Sequence, residues 1–191
     1  MMRWLVAALV FVAAAGAAWF GYTQYQRLTG AEPYGVAFRL VDQKGQPVTE
    51  AAFRAQPSAV FFGFTHCPEI CPTTLYEMDG WLKQLGPDAD RIRAFFVTVD
   101  PARDTPEIMD RYVSNVSQRI TGITGDPASV EEMARGYRIY FKKVETGGGE
   151  YTMDHTASVI LLGRDGDFFG TIAYGENAES AVAKLKRLAA S

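Results

Sequence analysis

Two apolar runs of strand length, SAVFFGF (58–64) and the centre of RIRAFFVTVD (91–100), restrict the fold of this chain more than any other feature. Neither alternates polar with apolar residues, so each needs cover on both faces, the pattern of a central strand in a parallel sheet. Between them, Leu75, Met78, Trp81, Leu82 and Leu85 recur at spacings of three and four. That predicts an amphipathic helix over 73–85, ended by Gly86-Pro87. Strand, helix and strand in this order close as a right-handed parallel unit.

The rest of the chain extends that unit. VAFRLVD (36–42) reads as a strand before it, and helices are expected from Thr105-Pro106-Glu107 onward, with Asp104 or Thr105 as N-cap, and over 128–136. HTASVILLG (155–163) and FFGTIAYG (168–175) read as antiparallel strands about the turn Arg164-Asp165-Gly166-Asp167, and residues 178–188 as a closing helix. A βαβ unit followed by a hairpin and a helix is the α/β, thioredoxin-like arrangement, here with N-terminal and inserted extra elements.

Residues 4–22 (WLVAALVFVAAAGAAWFGY) carry no charged side chain and follow Arg3. As a helix they match the roughly 20 residues needed to span a bilayer, with Trp4, Trp19 and Tyr22 as interfacial aromatics. The expected organisation is a transmembrane anchor or signal sequence over 1–22, a polar tether over 23–34 and one domain over 35–191. Anchor and signal alike export the domain, so the periplasmic face of a bacterial inner membrane is the expected location. A formal charge of −3 without any Lys/Arg block speaks against nucleic-acid binding. With only two cysteines and two histidines, the chain is not a disulfide-rich scaffold, and a four-ligand structural zinc site would have to use all four residues or recruit carboxylates.

Both cysteines fall in Thr65-His66-Cys67-Pro68-Glu69-Ile70-Cys71-Pro72, where the first apolar strand meets its helix. Residues four apart in a helical turn face the same way, so the two sulfurs can converge on one object, a bond between them or a metal. Free N–H groups in the first turn and the helix dipole would lower the pKa of Cys67. Pro72 fits a first-turn position, where its missing N–H is not needed. His155, preceded by Asp154, starts a strand that a thioredoxin-like sheet places beside the one ending at Phe64. Two thiolates and an imidazole suit Cu(I) through sulfur and Cu(II) with the nitrogen added, whereas zinc would ask for a fourth ligand. A disulfide closing so short a loop would add little stability.

GFTHCPEICPTTL (63–75), VTVDPARDTPE (97–107) and Asp154-His155-Thr156 resemble the signature segments of the Sco/SenC family of copper chaperones for cytochrome c oxidase assembly. The resemblance runs over about residues 35–188. It implies one copper ion bound by Cys67, Cys71 and His155. The implied partners are the copper-bearing subunit of the oxidase and an upstream copper chaperone.

Several residues compete for roles at such a site. His66 adjoins Cys67, but successive side chains diverge, so it is set apart from the ligands. Asp154 is either an orienting partner of His155 or the start of a strand. Met153 and Met78 read as packing residues, and Asp100, Arg103 and Asp104 as turn and cap residues or a docking loop. The catalytic alternative is a dedicated thiol-disulfide oxidoreductase using Cys67 and Cys71. A general one is disfavoured because the spacing is CxxxC and the segment Met153-Asp154-His155-Thr156 contains no proline where thioredoxins place a cis-proline beside the active site. Phe64, in place of Thr or Ser, also breaks the peroxiredoxin pattern.

Overall fold

The computed structural model describes residues 15–22 and 34–191. Residues 15–22 are helical, and the chain divides after Glu32 into two separate units. Most of the expected anchor and nearly all of the tether lie outside the described residues. Among the described residues no helix is long and apolar enough to cross a membrane.

The second unit is built on a mixed sheet of seven strands, in the order β2-β1-β5-β4-β3-β8-β9. Its centre is the predicted pair, β3 (Ser58–Gly63) and β4 (Arg93–Thr98), which run parallel with Phe61 opposite Phe96. All six residues of β3 are buried, which is why its sequence is apolar without alternation. β8 (Val159–Leu162) pairs antiparallel with the other edge of β3, and β9 (Phe168–Ile172) with β8. The four strands β4-β3-β8-β9 form the expected thioredoxin-like core. On the far side β5 (Ile120–Thr124) runs parallel to β4, and β1 (Arg39–Asp42) and β2 (Pro47–Thr49) complete the sheet antiparallel.

Five helices accompany these strands: α1 (Ala51–Arg54), α2 (Ile70–Leu85), α3 (Pro106–Ser114), α4 (Pro127–Gly136) and α5 (Ala178–Ala189). α2 packs against α5, and α3 against β5. The predicted stripe of α2 is buried from Leu75 to Leu85, but the helix begins at Ile70, three residues earlier than its periodicity indicates. Pro72 therefore sits third in the first turn, still among the N–H positions that lack an intrahelical partner. α3 is capped by the Thr105 hydroxyl, which accepts from the Ile108 amide, and not by Asp104.

The departure from expectation that bears on the site is a ribbon. Residues Phe141–Gly147 (β6) and Glu150–His155 (β7) form a separate two-stranded ribbon, and His155 is the last residue of β7 rather than the first of β8. Gly147, Gly148 and Gly149 at its tip all have positive φ, a conformation other residues adopt at a cost.

Candidate metal centre

The site is assembled at the end of the sheet where β3 stops. Gly63 closes β3 beside the sulfur of Cys71: a Cβ built there would lie 2.7 Å from Cys71 Sγ and 2.8 Å from the Phe96 ring. Only glycine leaves that space, so a residue that merely interrupts an apolar strand in sequence is what lets the thiol approach the strand end. The chain then turns, with the Cys67 amide donating to the Phe64 carbonyl at 3.3 Å. Cys67 Sγ accepts from the Cys71 amide at 3.4 Å, so an unpaired N–H of the first turn of α2 is spent on the sulfur.

His155 arrives from the ribbon. Its Nε2 lies 3.4 Å from Cys71 Sγ, and its Nδ1 lies 3.0 Å from the carbonyl of Thr156. A proton on Nδ1 donated to that carbonyl leaves the Nε2 lone pair facing the sulfurs. The ring stands edge-on to Phe64, at 5.8 Å and 88°, and to Phe61 at 6.0 Å. One ligand atom from each of Cys67, Cys71 and His155 lies within 4.8 Å of the others. This is the convergence expected from the sequence, reached from elements 84 residues apart.

The two sulfurs differ. Cys71 is fully buried and Cys67 half-buried, and both are free thiols. The Cys71 thiol and amide donate to Cys67 and hold it well below the ordinary thiol range, against the opposing effect of burial. The proximity of Cys67 and the loss of solvent push Cys71 up. The expected acidification of Cys67 is present, with its partner thiol as the largest cause. Cys67 and His155 open onto a cleft of about 280 Å³ shared with Phe64, Pro68, Ile70 and Met153. The donors fit a copper ion: two sulfurs and one correctly presented imidazole nitrogen, with one sulfur and the ring accessible from a cleft.

The other residues singled out by sequence are distributed differently. His66 is exposed, its Nδ1 3.0 Å from Thr65 Oγ1 and 3.7 Å from Asp104 Oδ1. Asp154 is exposed and paired in register with Lys142, on the face of β7 opposite to that of His155. The partner of the imidazole is the Thr156 carbonyl instead. Met78 is in the core and Met153 lines the cleft.

Asp104 has a larger role than a cap. Its buried carboxylate accepts from the Thr65 amide at 3.1 Å and from the Thr65 and Thr98 hydroxyls at 2.6 Å each. It thereby ties the approach to Cys67 onto the end of β4. Burial raises its pKa against those hydrogen bonds. The DTPE pattern suggests only an N-cap, because the partner at Thr65 is 39 residues away.

The model of the SCO1/SenC family matches residues 26–190 of this chain. The mouse mitochondrial SCO2 homologue is 35% identical over 198 residues, covering 97% of this chain and 77% of that protein. The human mitochondrial SCO1 homologue is 34% identical, covering 80% and 51%. The chain thus spans between about half and three quarters of the length of these two relatives. Among solved structures, ScoI of Bradyrhizobium japonicum with copper bound is 45% identical at a TM-score of 0.75, covering 81% of this chain and 98% of that one. Yeast Sco1 with copper bound is 30% identical at a TM-score of 0.77, covering 84% and 90%.

Proposed function

The chain belongs to the SCO1/SenC family, and from that premise we propose that it is a copper-binding assembly factor for the binuclear copper site of cytochrome c oxidase. Cys67, Cys71 and His155 hold one copper ion, which is cargo for the copper-bearing subunit of the oxidase and is received from an upstream copper chaperone. Residues 4–22 anchor the domain on the exported face of a membrane, the periplasmic face in a bacterium. The observation that carries the reading is the approach of all three ligand atoms to within 4.8 Å. The relatives described with copper bound support it.

The residues divide the work. Cys67, held towards its thiolate form, presents charge at the accessible side of the site. Cys71 supplies the second sulfur from the core once its proton leaves, and metal binding therefore releases protons. His155 adds a neutral nitrogen fixed by Thr156. Titration of the reduced full-length chain with Cu(I) against a competing chelator tests this. The expected result is one equivalent bound, with affinity lost in the Cys67→Ser/Cys71→Ser double variant by more than the roughly 10–100-fold that removal of an outer partner costs. Unchanged affinity in that variant would refute the assignment.

The asymmetry of the two thiols favours a second reading, reduction of a cysteine pair on the same partner. The Cys67 thiolate would attack the partner's disulfide, breaking its S–S bond and forming a mixed disulfide. Cys71 would then lose its proton and attack Cys67 Sγ, leaving a Cys67–Cys71 disulfide and passing two electrons to the partner. Metal-free reduced protein should then reduce a peptide bearing the oxidase's cysteine pair, and Cys67→Ser should abolish the reaction. Delivery without reduction predicts no metal-free turnover.

A further inference from the structure

The two sulfurs are placed by the core, whereas His155 sits on a ribbon that shares no strand pairing with the seven-stranded sheet. An isolated two-stranded hairpin is marginal in water, so something else must fix the orientation of its last residue. The Thr156 amide donates to the Tyr140 carbonyl at 3.0 Å and the Tyr140 amide to the Thr156 hydroxyl oxygen at 3.1 Å, which ties the ribbon's two ends to each other. Phe141 and Met153 supply apolar packing on the body, which is tolerant of small rotations.

The directional tie is made at Tyr151. Arg103, in the loop after β4, donates from Nη1 to the Tyr151 carbonyl at 3.0 Å, while its Nε donates to Asp100. The Tyr151 hydroxyl closes the ring by donating to the other oxygen of Asp100 at 2.9 Å. The guanidinium lies 3.7 Å from the centroid of the Tyr151 ring and 5.9 Å from that of Phe64, the ring that abuts His155. Asp100 is buried, and its amide is held by Thr98 Oγ1 at 2.8 Å, so the loop end of the clamp is rigid. Tyr151 and His155 are four residues apart on one face of β7, about 13 Å at ~3.3 Å per residue. Arg103 Nη2 is also buried.

We propose that Arg103, locked between Asp100 and Tyr151, is a positioning residue for the copper ligand His155, fixing the ribbon so that Nε2 points at the two sulfurs. The inference rests on His155 being a ligand. It gives the VDPARD loop two duties, since Asp104 in the same loop holds the approach to Cys67.

The test compares the reduced full-length parent with Arg103→Met, Arg103→Lys, Tyr151→Phe, His155→Ala and the Arg103→Met/His155→Ala pair in Cu(I) competition titrations. The nitrogen hyperfine signal of the Cu(II)-loaded forms is recorded alongside. Arg103→Met should lose roughly 10–100-fold in copper affinity, the cost of removing an outer partner, together with the nitrogen signal. Arg103→Lys, which keeps the charge but not the fork, should recover only part. Tyr151→Phe removes a single hydroxyl and cannot be dismissed as unfolded; it should shift affinity in the same direction by a few-fold. In the His155→Ala background Arg103→Met should cost nothing further. The inference is overturned if Arg103→Met or Tyr151→Phe keeps parental affinity while His155→Ala does not, or if Arg103→Met costs as much without His155 as with it. Parental affinity in His155→Ala would bring down the ligand assignment itself, and this inference with it.

Discussion

The strand-end loop that carries the sulfurs and the ribbon that carries the imidazole reach the same few ångströms by opposite means. The loop grows directly from β3, all of whose residues are buried, and enters a helix whose apolar stripe is buried to Leu85. Its position is inseparable from the position of the core. The ribbon is exposed or half-buried along its length and is fixed by a few polar contacts and two apolar side chains. A ligand set divided in this way has one half defined by folding itself and one half that can be altered without unfolding the protein. That division suits the copper-cargo role proposed above, in which the site holds the ion and then yields it.

The strongest attempt to break the contrast is a truncation in each region. Phe61 is fully buried, stacks on Phe96 at 6.0 Å and also abuts His155. Phe61→Ala should cost about 3–5 kcal/mol in denaturant unfolding. Tyr140, at the foot of the ribbon, is 59% exposed, and Tyr140→Ala should stay within about 0.5 kcal/mol. Comparable losses in the two variants would mean that the ribbon is as much a part of the folding unit as β3.

A smaller effect, confined to the sulfur side, comes from Asp104. Asp104→Ala leaves the Thr65 and Thr98 hydroxyls and the Thr65 amide without their acceptor. The expected loss is about 1–3 kcal/mol, the cost of stranding buried polar groups. Thermal unfolding reads it directly. A value near zero would show that water replaces the carboxylate and that the loop does not depend on this tie.

What could be read in the chain beforehand follows the same contrast. β3, β4, α2 and the meeting of Cys67 with Cys71 were legible because burial imposes a period on the sequence and the cysteine spacing sits on it. The ribbon is not legible, because FKKVETG is mostly exposed and only Phe141 packs on the core, too little to impose an alternation. The apolar pattern alone therefore puts His155 at the head of β8, whereas it closes β7. Strands β2 and β5 leave little signal for a related reason: one has three residues and the other carries a glycine in its middle. Gly63, Asp104 and Arg103 show a further limit. Each has an ordinary local explanation, a glycine in a strand, a cap and a turn, while its actual partner lies 8, 39 or 48 residues away.

The smallest expected effect concerns a carboxylate that belongs to neither region and separates acid sensitivity of the fold from that of the site. Glu176 accepts from the Ala173 amide at 3.0 Å, from Ser180 Oγ at 2.8 Å and from Lys184, which holds its pKa down from 4.5 to about 2. Because the folded chain binds this proton less tightly than the unfolded one, the contribution is fully present above pH 4.5 and is lost as pH falls toward about 2. Asp104 has the opposite sign: its raised pKa favours the folded state at low pH and loses that advantage as pH rises through the carboxylate range. Glu176→Gln should therefore lower stability at neutral pH by no more than ~1 kcal/mol, as for ion pairs near the surface. The gap from the parent should close as the solution is acidified, with copper affinity at neutral pH unchanged. A gap that persists undiminished at acid pH would show that Glu176 acts by shape and hydrogen bonding, not by charge. A copper affinity that moved with it would show that the ribbon and the sulfur loop are coupled through the β9–α5 turn, and the contrast between a fixed and an adjustable half would then fail.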